Sequence, residues 1–427
     1  MNKFVLKCIK CGKIYDQNKF NQLCDDHNSL LQTDYFCKKF VVSNEENIWK
    51  YKSWLPCINN YIDGESPFTY KSIHFSKYLN LSNLYISFNG YWPKMGSKSK
   101  TCSFKDLEAV PTIQMLLDLH VDKKKILVVA SAGNTARAFL YVCIKYNYPL
   151  IVIIPKDSIN KIWIPNNIIN CNKKQYPIII AIDGDYTTAI NISKALIQSN
   201  SNYISEGGAN NVARRDGMGT IMLDATKKIG KLPDYYIQAV GSGTGGIASF
   251  EASKRIINDG NYGKKLPKLY LIQQIPCSPL LKLSQDIPIN INCPNKIIDN
   301  VLFNRNPPYS VFGGVKNILE NSNGKLIGVT KKDAEVAKST FEYLENIDIS
   351  DASSVSVAGI IKLVNDHTIK NSDIVLLNIT SGGVLEYQKY NKITILKPNL
   401  LINPNKKIED IIKLINNYVK KIGIVYE

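Results

Sequence analysis

The sequence predicts an α/β protein made of two open α/β units with parallel sheets, preceded by a small ribbon-like segment. Three observations predict it. Apolar runs of five or six residues alternate with helical stretches, first over 126–199 and again over 235–377. Such runs, apolar on both faces, read as buried parallel strands joined by crossover helices. The first 35 residues have a different texture, with closely spaced Cys and His.

In the first unit, Ile126-Leu127-Val128-Val129-Ala130, Leu150-Ile151-Val152-Ile153-Ile154 and Pro177-Ile178-Ile179-Ile180-Ala181-Ile182 read as strands, with helices near 134–146 and 187–199. In the second, Tyr235-Tyr236-Ile237-Gln238-Ala239-Val240, Leu269-Tyr270-Leu271-Ile272 and Ile374-Val375-Leu376-Leu377 read as strands. The Pro- and Asn-rich stretch 280–312 reads as an active-site loop or a crossing segment. Residues 407–421 read as an amphipathic basic surface helix.

The amino-terminal segment carries Cys8-Ile9-Lys10-Cys11 and Cys24-Asp25-Asp26-His27, with twelve residues between the two knuckles. Two knuckles supplying three thiolates and an imidazole have the spacing of a zinc ribbon, so Cys8, Cys11, Cys24 and His27 are the candidate zinc ligands. Cysteines packed as small hydrophobes, or a ribbon without metal, would give the same text, and Cys37 competes as a ligand.

Composition narrows the function. The 427 residues include 53 Lys or Arg and 36 Asp or Glu, a formal net charge of +17, with 44% apolar and 21% charged residues. That is a globular balance, long enough for two or three domains. A charge of this sign suggests a polyanion partner, but only five of the basic residues are Arg and 48 are Lys. A solvated lysine-rich surface accounts for that excess, and no nucleic-acid partner is expected. A basic zinc-ribbon binder of nucleic acid would need a basic helix with interleaved aromatics, or another recognition pattern, and the sequence has none. It has no apolar run long enough for a membrane helix and no apolar core for a secretory signal. Ten Cys do not make a disulfide framework, so a cytoplasmic protein with reduced thiols is expected.

Four motifs carry chemistry. Gly241-Ser242-Gly243-Thr244-Gly245-Gly246 follows a strand and opens a helix; converging N–H groups and the helix dipole make a phosphate cup. Ser103-Phe104-Lys105-Asp106 stands before a helix. Ser131-Ala132-Gly133-Asn134-Thr135-Ala136-Arg137 leaves a strand with small residues that let a flat ligand approach, and Asn134 can hydrogen-bond an oxygen on it. Asn378-Ile379-Thr380-Ser381-Gly382-Gly383 lies at a strand's carboxyl end, where open α/β sheets bind ligands. Each alone has an ordinary explanation as a turn or a surface charge. Their order together resembles the fold-type II pyridoxal-phosphate enzymes, the tryptophan synthase β superfamily.

The resemblance implies pyridoxal 5'-phosphate as cofactor and Lys105 as the catalytic, Schiff-base lysine. It also implies Asn134 on the cofactor's 3′-oxygen, the stretch Gly241, Ser242, Gly243, Thr244, Gly245 and Gly246 around its phosphate, and Thr380, or else Ser381, at the ring nitrogen. Further segments resemble the threonine synthase group and, most closely, its cysteate synthase branch: Thr69-Tyr70-Lys71, Gly90-Tyr91-Trp92-Pro93, Phe104 to Ala109, Ser205 to Thr220, and Asn304-Arg305-Asn306-Pro307-Pro308-Tyr309. That group often carries an amino-terminal ribbon. The likeness implies a ribbon over 1–45, a large cofactor-binding domain over 46–105 and 216–427, and a small domain over 106–215. It implies a cytoplasmic homo-oligomer that joins phosphoserine and sulfite into cysteate and phosphate, with Ser131 and Thr135 toward the substrate.

The family's small-residue step before Phe-Lys is altered: Cys102 stands where Gly is expected, with Lys98 and Lys100 nearby. The nucleophile therefore stays open, and a pseudoenzyme is a further reading. The alternatives are a threonine synthase acting on O-phosphohomoserine and a phosphoserine β-replacement with another nucleophile. Arg137, Arg214, Arg215 and Arg305 all fall in these segments. In a lysine-rich chain this marks places where a guanidinium fork is required. At least one of Arg214, Arg215 and Arg305 is expected to hold an anionic group, the ordinary alternative being an internal salt bridge.

Overall fold

The computed structural model describes residues 3–121, 125–169, 177–288 and 297–422. Two parallel sheets organise the chain. The larger has six strands in the order Lys325–Val329, Lys268–Gln274, Tyr235–Ala239, Ile374–Ile379, Asn83–Phe88 and Thr69–Lys71. All neighbours are parallel except the last pair. The smaller sheet has five parallel strands in the order Tyr203–Ser205, Ile126–Ala130, Leu150–Pro155, Ile178–Ile182 and Leu400–Ile402.

The expected strands and helices are present because their side chains meet apolar partners on both faces. Along Ile374–Ile379, Val375, Leu377 and Ile379 enter one core, while Leu376 enters the core on the opposite face. The same alternation sends Leu127 and Val129 one way and Ile126 and Val128 the other. Period-two alternation with two apolar faces is what produces the unbroken apolar runs. The helix Ile408–Lys421 is amphipathic as expected; Ile411, Ile412, Ile415 and Val419 bury one face in the core of the smaller sheet. Of the irregular 280–312 stretch, 289–296 lies outside the described residues. The segment beyond it crosses the mouth of the cleft described below, where Val301, Leu302 and Asn304 line it.

The amino-terminal segment forms a three-stranded antiparallel sheet, Ile14–Tyr15, Phe4–Cys8 and Leu31–Tyr35. It docks on the helices Val212–Ile229 and Thr244–Asp259 through polar contacts. Thr33 Oγ1 and Tyr35 OH each donate to Asp216 Oδ2 at 2.6 Å. Seven described cysteines carry free thiols, whereas Cys277 is disulfide-bonded, a departure from the expectation of reduced thiols throughout.

Candidate active site

The carboxyl ends of Ile126–Ala130, Tyr235–Ala239 and Ile374–Ile379 face a single cleft between the sheets. All four motifs reach it: Lys105, Asn134, the turn from Gly241 to Gly245, and Thr380 line the same cavity. This is where open α/β sheets place ligand sites, at the ends of their strands.

Lys105 immediately precedes the helix Asp106–Asp118. The Lys105 loop is held to the Thr380 turn by backbone pairing. Phe104 N–H donates to Thr380 O at 2.9 Å, and Ser103 bridges Ser381. Behind the lysine, the buried Asp106 carboxylate accepts from Ser99 Oγ at 2.7 Å and from Thr101 Oγ1, which closes the loop on itself. Burial pushes the Asp106 carboxyl above its ordinary value, with the two hydroxyls acting against that rise. Lys105 Nζ lies 3.1 Å from Glu108 Oε2 and 4.5 Å from the centre of the Phe104 ring. Burial lowers the pKa of the Lys105 amine; Glu108 pulls it up and the Arg214 guanidinium pushes it further down.

The glycine turn is built for close approach. Gly243 has φ +82°, and a side chain there would collide with Val315; a Cβ at Gly241 would sit 2.7 Å from Val301 O. Thr244 then starts a sixteen-residue helix, and Ser242 Oγ and Thr244 Oγ1 lie 2.9 Å apart at the cup. Gly246 is one residue further along the helix and outside the cavity lining. Ser131 Oγ accepts from Gly133 N–H and Ala136 N–H at 3.1 and 3.0 Å, bending the chain into the helix Asn134–Tyr146. Thr135 Oγ1 donates to Glu108 Oε1 at 2.9 Å. Thr380 lines the cavity with its hydroxyl 3.3 Å from Ser353 Oγ. Ser381 lies behind it, its N–H donating to the same Ser353 hydroxyl.

The arginines divide. Arg137 is buried and lies 4.7 Å from the centre of the Trp163 ring. It donates to Thr101 O, Lys161 O and Asn134 Oδ1, each at 2.9 Å, so it fixes the Asn134 amide. Arg214 reaches the cleft, but its two terminal nitrogens are taken by Glu108 Oε1 at 2.9 Å and by Glu206 Oε2. Arg215 points away from the cleft: it is fully buried, pairs with Glu251 Oε2 at 3.0 Å, and donates to Ala209 O and Leu31 O. Adjacent helix residues diverge by about 100°, so 214 and 215 cannot share a site. Arg305 is not among the residues lining the cleft, although Asn304 beside it in the chain is; its Nη2 lies 2.5 Å from Asp185 Oδ2 and its Nε donates to Thr187 Oγ1 at 2.9 Å. Each of the three is thus ion-paired inside the protein.

Cys102 has φ +54°, the left-handed conformation in which Gly is expected. Its side chain is buried with Trp163 and Tyr387, and burial drives the thiol well above its ordinary pKa. It packs as a small buried hydrophobe and does not line the cleft. Lys98 is exposed, Lys100 faces Glu65 at 3.5 Å, and neither lines the cleft.

Sequence reasoning passed over Glu108 and Tyr186 and read Glu206 only as a salt-bridge partner for Arg215, whereas it pairs with Arg214. Glu108 has no exposed side-chain surface, and Arg214 and Lys105 hold its carboxyl below the usual range against the effect of burial. Burial beside Glu206 pushes the Tyr186 hydroxyl up to about 12. The helical i, i+3 spacing of Lys105 and Glu108 was a usable signal, and Glu206 lies only eight residues before its partner Arg214; Tyr186 meets Glu206, Arg214 and Glu108 only through the fold.

In the amino-terminal sheet, the sulfurs of Cys8, Cys11 and Cys24 lie within 4.8 Å of one another, the one such metal-competent group among the described residues. His27 is not part of it. Cys37 is exposed and donates to Lys39 O.

Comparison with known proteins adds the following. The pyridoxal-phosphate dependent enzyme family matches residues 76–381. A cysteate synthase of Methanococcoides burtonii is 43% identical over 425 residues, covering 98% of this chain and 99% of that protein. A cysteate synthase of Methanosarcina mazei is 41% identical over 424 residues, covering 97% and 100%. Among solved structures, a pyridoxal 5'-phosphate-dependent aspartate racemase superposes with a TM-score of 0.57 at 17% identity, over 76% of this chain and 92% of that one, a likeness of fold. No helix among the described residues is long and apolar enough to cross a membrane.

Proposed function

The chain belongs to the pyridoxal-phosphate dependent enzyme family and to its cysteate synthase group, and from that premise we propose that it converts O-phospho-L-serine and sulfite to L-cysteate and phosphate. The observation that carries this is the meeting of Lys105, Asn134, the glycine turn and Thr380 in one cleft, in a chain related along its whole length to cysteate synthases.

The residues fit the cofactor. Gly241 and Gly243 let the turn pack against Val301 and Val315 where a side chain would collide, which leaves backbone N–H groups bare at the amino end of a long helix and suits a phosphate. Asn134, fixed by Arg137, faces the same cavity, and Thr380 offers a neutral hydroxyl to a ring nitrogen. When bound, pyridoxal phosphate supplies an electron sink for charge at the substrate's Cα.

The chain's own residues do the rest. Lys105, its amine pKa lowered by burial, takes the proton from Cα and later returns it there. The turn from Ser131 to Thr135 at the start of its helix receives the substrate carboxylate through backbone N–H groups. The C–O bond to phosphate breaks, phosphate leaves with that electron pair, and a C–S bond to sulfite forms in its place. Arg305, a fifth exposed and next in the chain to the cleft-lining Asn304, is the arginine able to trade its carboxylate partner for an incoming anion. On this reading the enzyme works in the cytoplasm as a homo-oligomer.

A steady-state assay tests the substrates. Phosphate release from phosphoserine should depend on sulfite, with cysteate in the product by mass spectrometry. Threonine from phosphohomoserine, or indifference to sulfite, would overturn the proposal.

We also propose a zinc ion on Cys8, Cys11 and Cys24, which supports the amino-terminal sheet. Three clustered sulfurs suit zinc, and His27 is the sequence's candidate for the fourth position. Elemental analysis should find one zinc per chain, lost in Cys24→Ser; a zinc-free, fully folded protein would contradict this.

A further inference from the structure

Glu108 is a buried carboxylate to which the reaction above assigns no task. It lies one turn along the helix from Lys105, and its two oxygens serve three partners: Lys105 Nζ at 3.1 Å, and Arg214 Nη2 and Thr135 Oγ1 at 2.9 Å each. Arg214 is also tied to Glu206, and Thr135 stands in the first turn of the helix Asn134–Tyr146. Lys105 alone has to leave and return during the reaction. A carboxylate buried without a cation would be costly; here Arg214 keeps it charged while the lysine is engaged elsewhere.

We propose that Glu108 is the counter-ion of the Lys105 ammonium, a positioning residue that receives it each time Lys105 takes the Cα proton. In that step the Cα–H bond breaks, the proton moves to Nζ, and the electron pair stays with the substrate. Nζ gains a positive charge beside a carboxylate already in place. Among the described residues, the other charged groups acting on Nζ are Arg214 and Glu206, from the helix and turn opposite, and Tyr186, from the helix Tyr186–Ser199, lines the same cavity. Burial and Arg214 act against the ammonium, so without Glu108 the amine would be a weak base. The Thr135 hydroxyl and the Arg214 fork also stop the carboxylate from swinging away, which aims Nζ along one line.

This inference rests on Lys105 being the lysine that moves the proton, and the test separates the two ideas. In the full-length protein freed of cofactor, Lys105 is titrated by competitive acylation and peptide mass spectrometry, wild type against Glu108→Gln. The amine pKa should fall by about one pH unit, a tenfold change in the protonated fraction. In the loaded enzyme, kcat should fall about tenfold and its acid limb should move to lower pH. KM for phosphoserine should stay nearly constant, and Glu108→Asp should recover part of the rate. Identical Lys105 titrations in wild type and Glu108→Gln would overturn the proposal, as would a change confined to KM. If Glu108→Gln does not fold, isotope-edited infrared spectroscopy of the Glu108 carboxylate in wild type and Lys105→Met decides. A band that moves supports the pairing, and an unmoved band refutes it. Borohydride trapping of the cofactor on a different lysine would instead defeat the underlying assignment.

Discussion

Two buried charge clusters share the helix Val212–Ile229 and make opposite uses of the same chemistry. One joins Arg214 to Glu108 and Glu206 beside Lys105 and opens on the cleft. The other joins Arg215 to Glu251 and Asp216 to Arg255, and is roofed by Thr33 and Tyr35 of the amino-terminal sheet. One residue of helical phase separates them. In the proposed reaction Lys105 of the first leaves and returns with a proton; the second fastens the amino-terminal sheet to the helices Val212–Ile229 and Thr244–Asp259. A guanidinium fork in a lysine-rich chain therefore marks a place where geometry matters, and access to the cleft decides whether that place is chemical or structural.

The largest expected break in this comparison is removal of each arginine. Arg215→Leu strands the Glu251 carboxylate and frees Leu31 O, and should cost about 3–5 kcal/mol of stability with the pH profile of the residual activity unmoved. Arg214→Leu should cost a similar amount, but it should also raise the Lys105 amine pKa, because a neighbouring cation is gone. Thermal unfolding and Lys105 titration of the two variants check both statements; equal titrations would erase the distinction between the clusters. A smaller effect sharpens the cleft's boundary. Cys102→Ala removes one buried sulfur from its contact with Trp163 and Tyr387. It should cost about 1 kcal/mol and leave kcat unchanged; a large loss of turnover would give the thiol a chemical role.

Much of this was legible in the sequence. Ile126–Ala130 and Ile374–Ile379 announce themselves because strands buried on both faces need apolar residues at every position. The four motifs were legible because glycines, a lysine before a helix and strand-end hydroxyls each answer a local demand. What escaped was long-range. Leu400–Ile402 is three residues long and becomes the fifth strand of the smaller sheet only by pairing with Ile180–Ile182. Arg214 acquires its meaning from Glu108, 106 residues earlier in the chain. Cys102 read as a chemical departure because its left-handed backbone, the reason a glycine is expected there, was invisible. Arg214 and Arg215 looked equivalent until the helix phase placed one in the cleft and the other under the amino-terminal sheet.

The central claim, that Lys105 in this cleft carries the cofactor and the proton, is tested most directly by borohydride reduction of the purified, cofactor-loaded protein followed by peptide mapping. The account predicts loss of the visible absorbance and a pyridoxyl group on Lys105 alone, with no label and no turnover in Lys105→Ala. A label on another lysine, or normal turnover in Lys105→Ala, would contradict it.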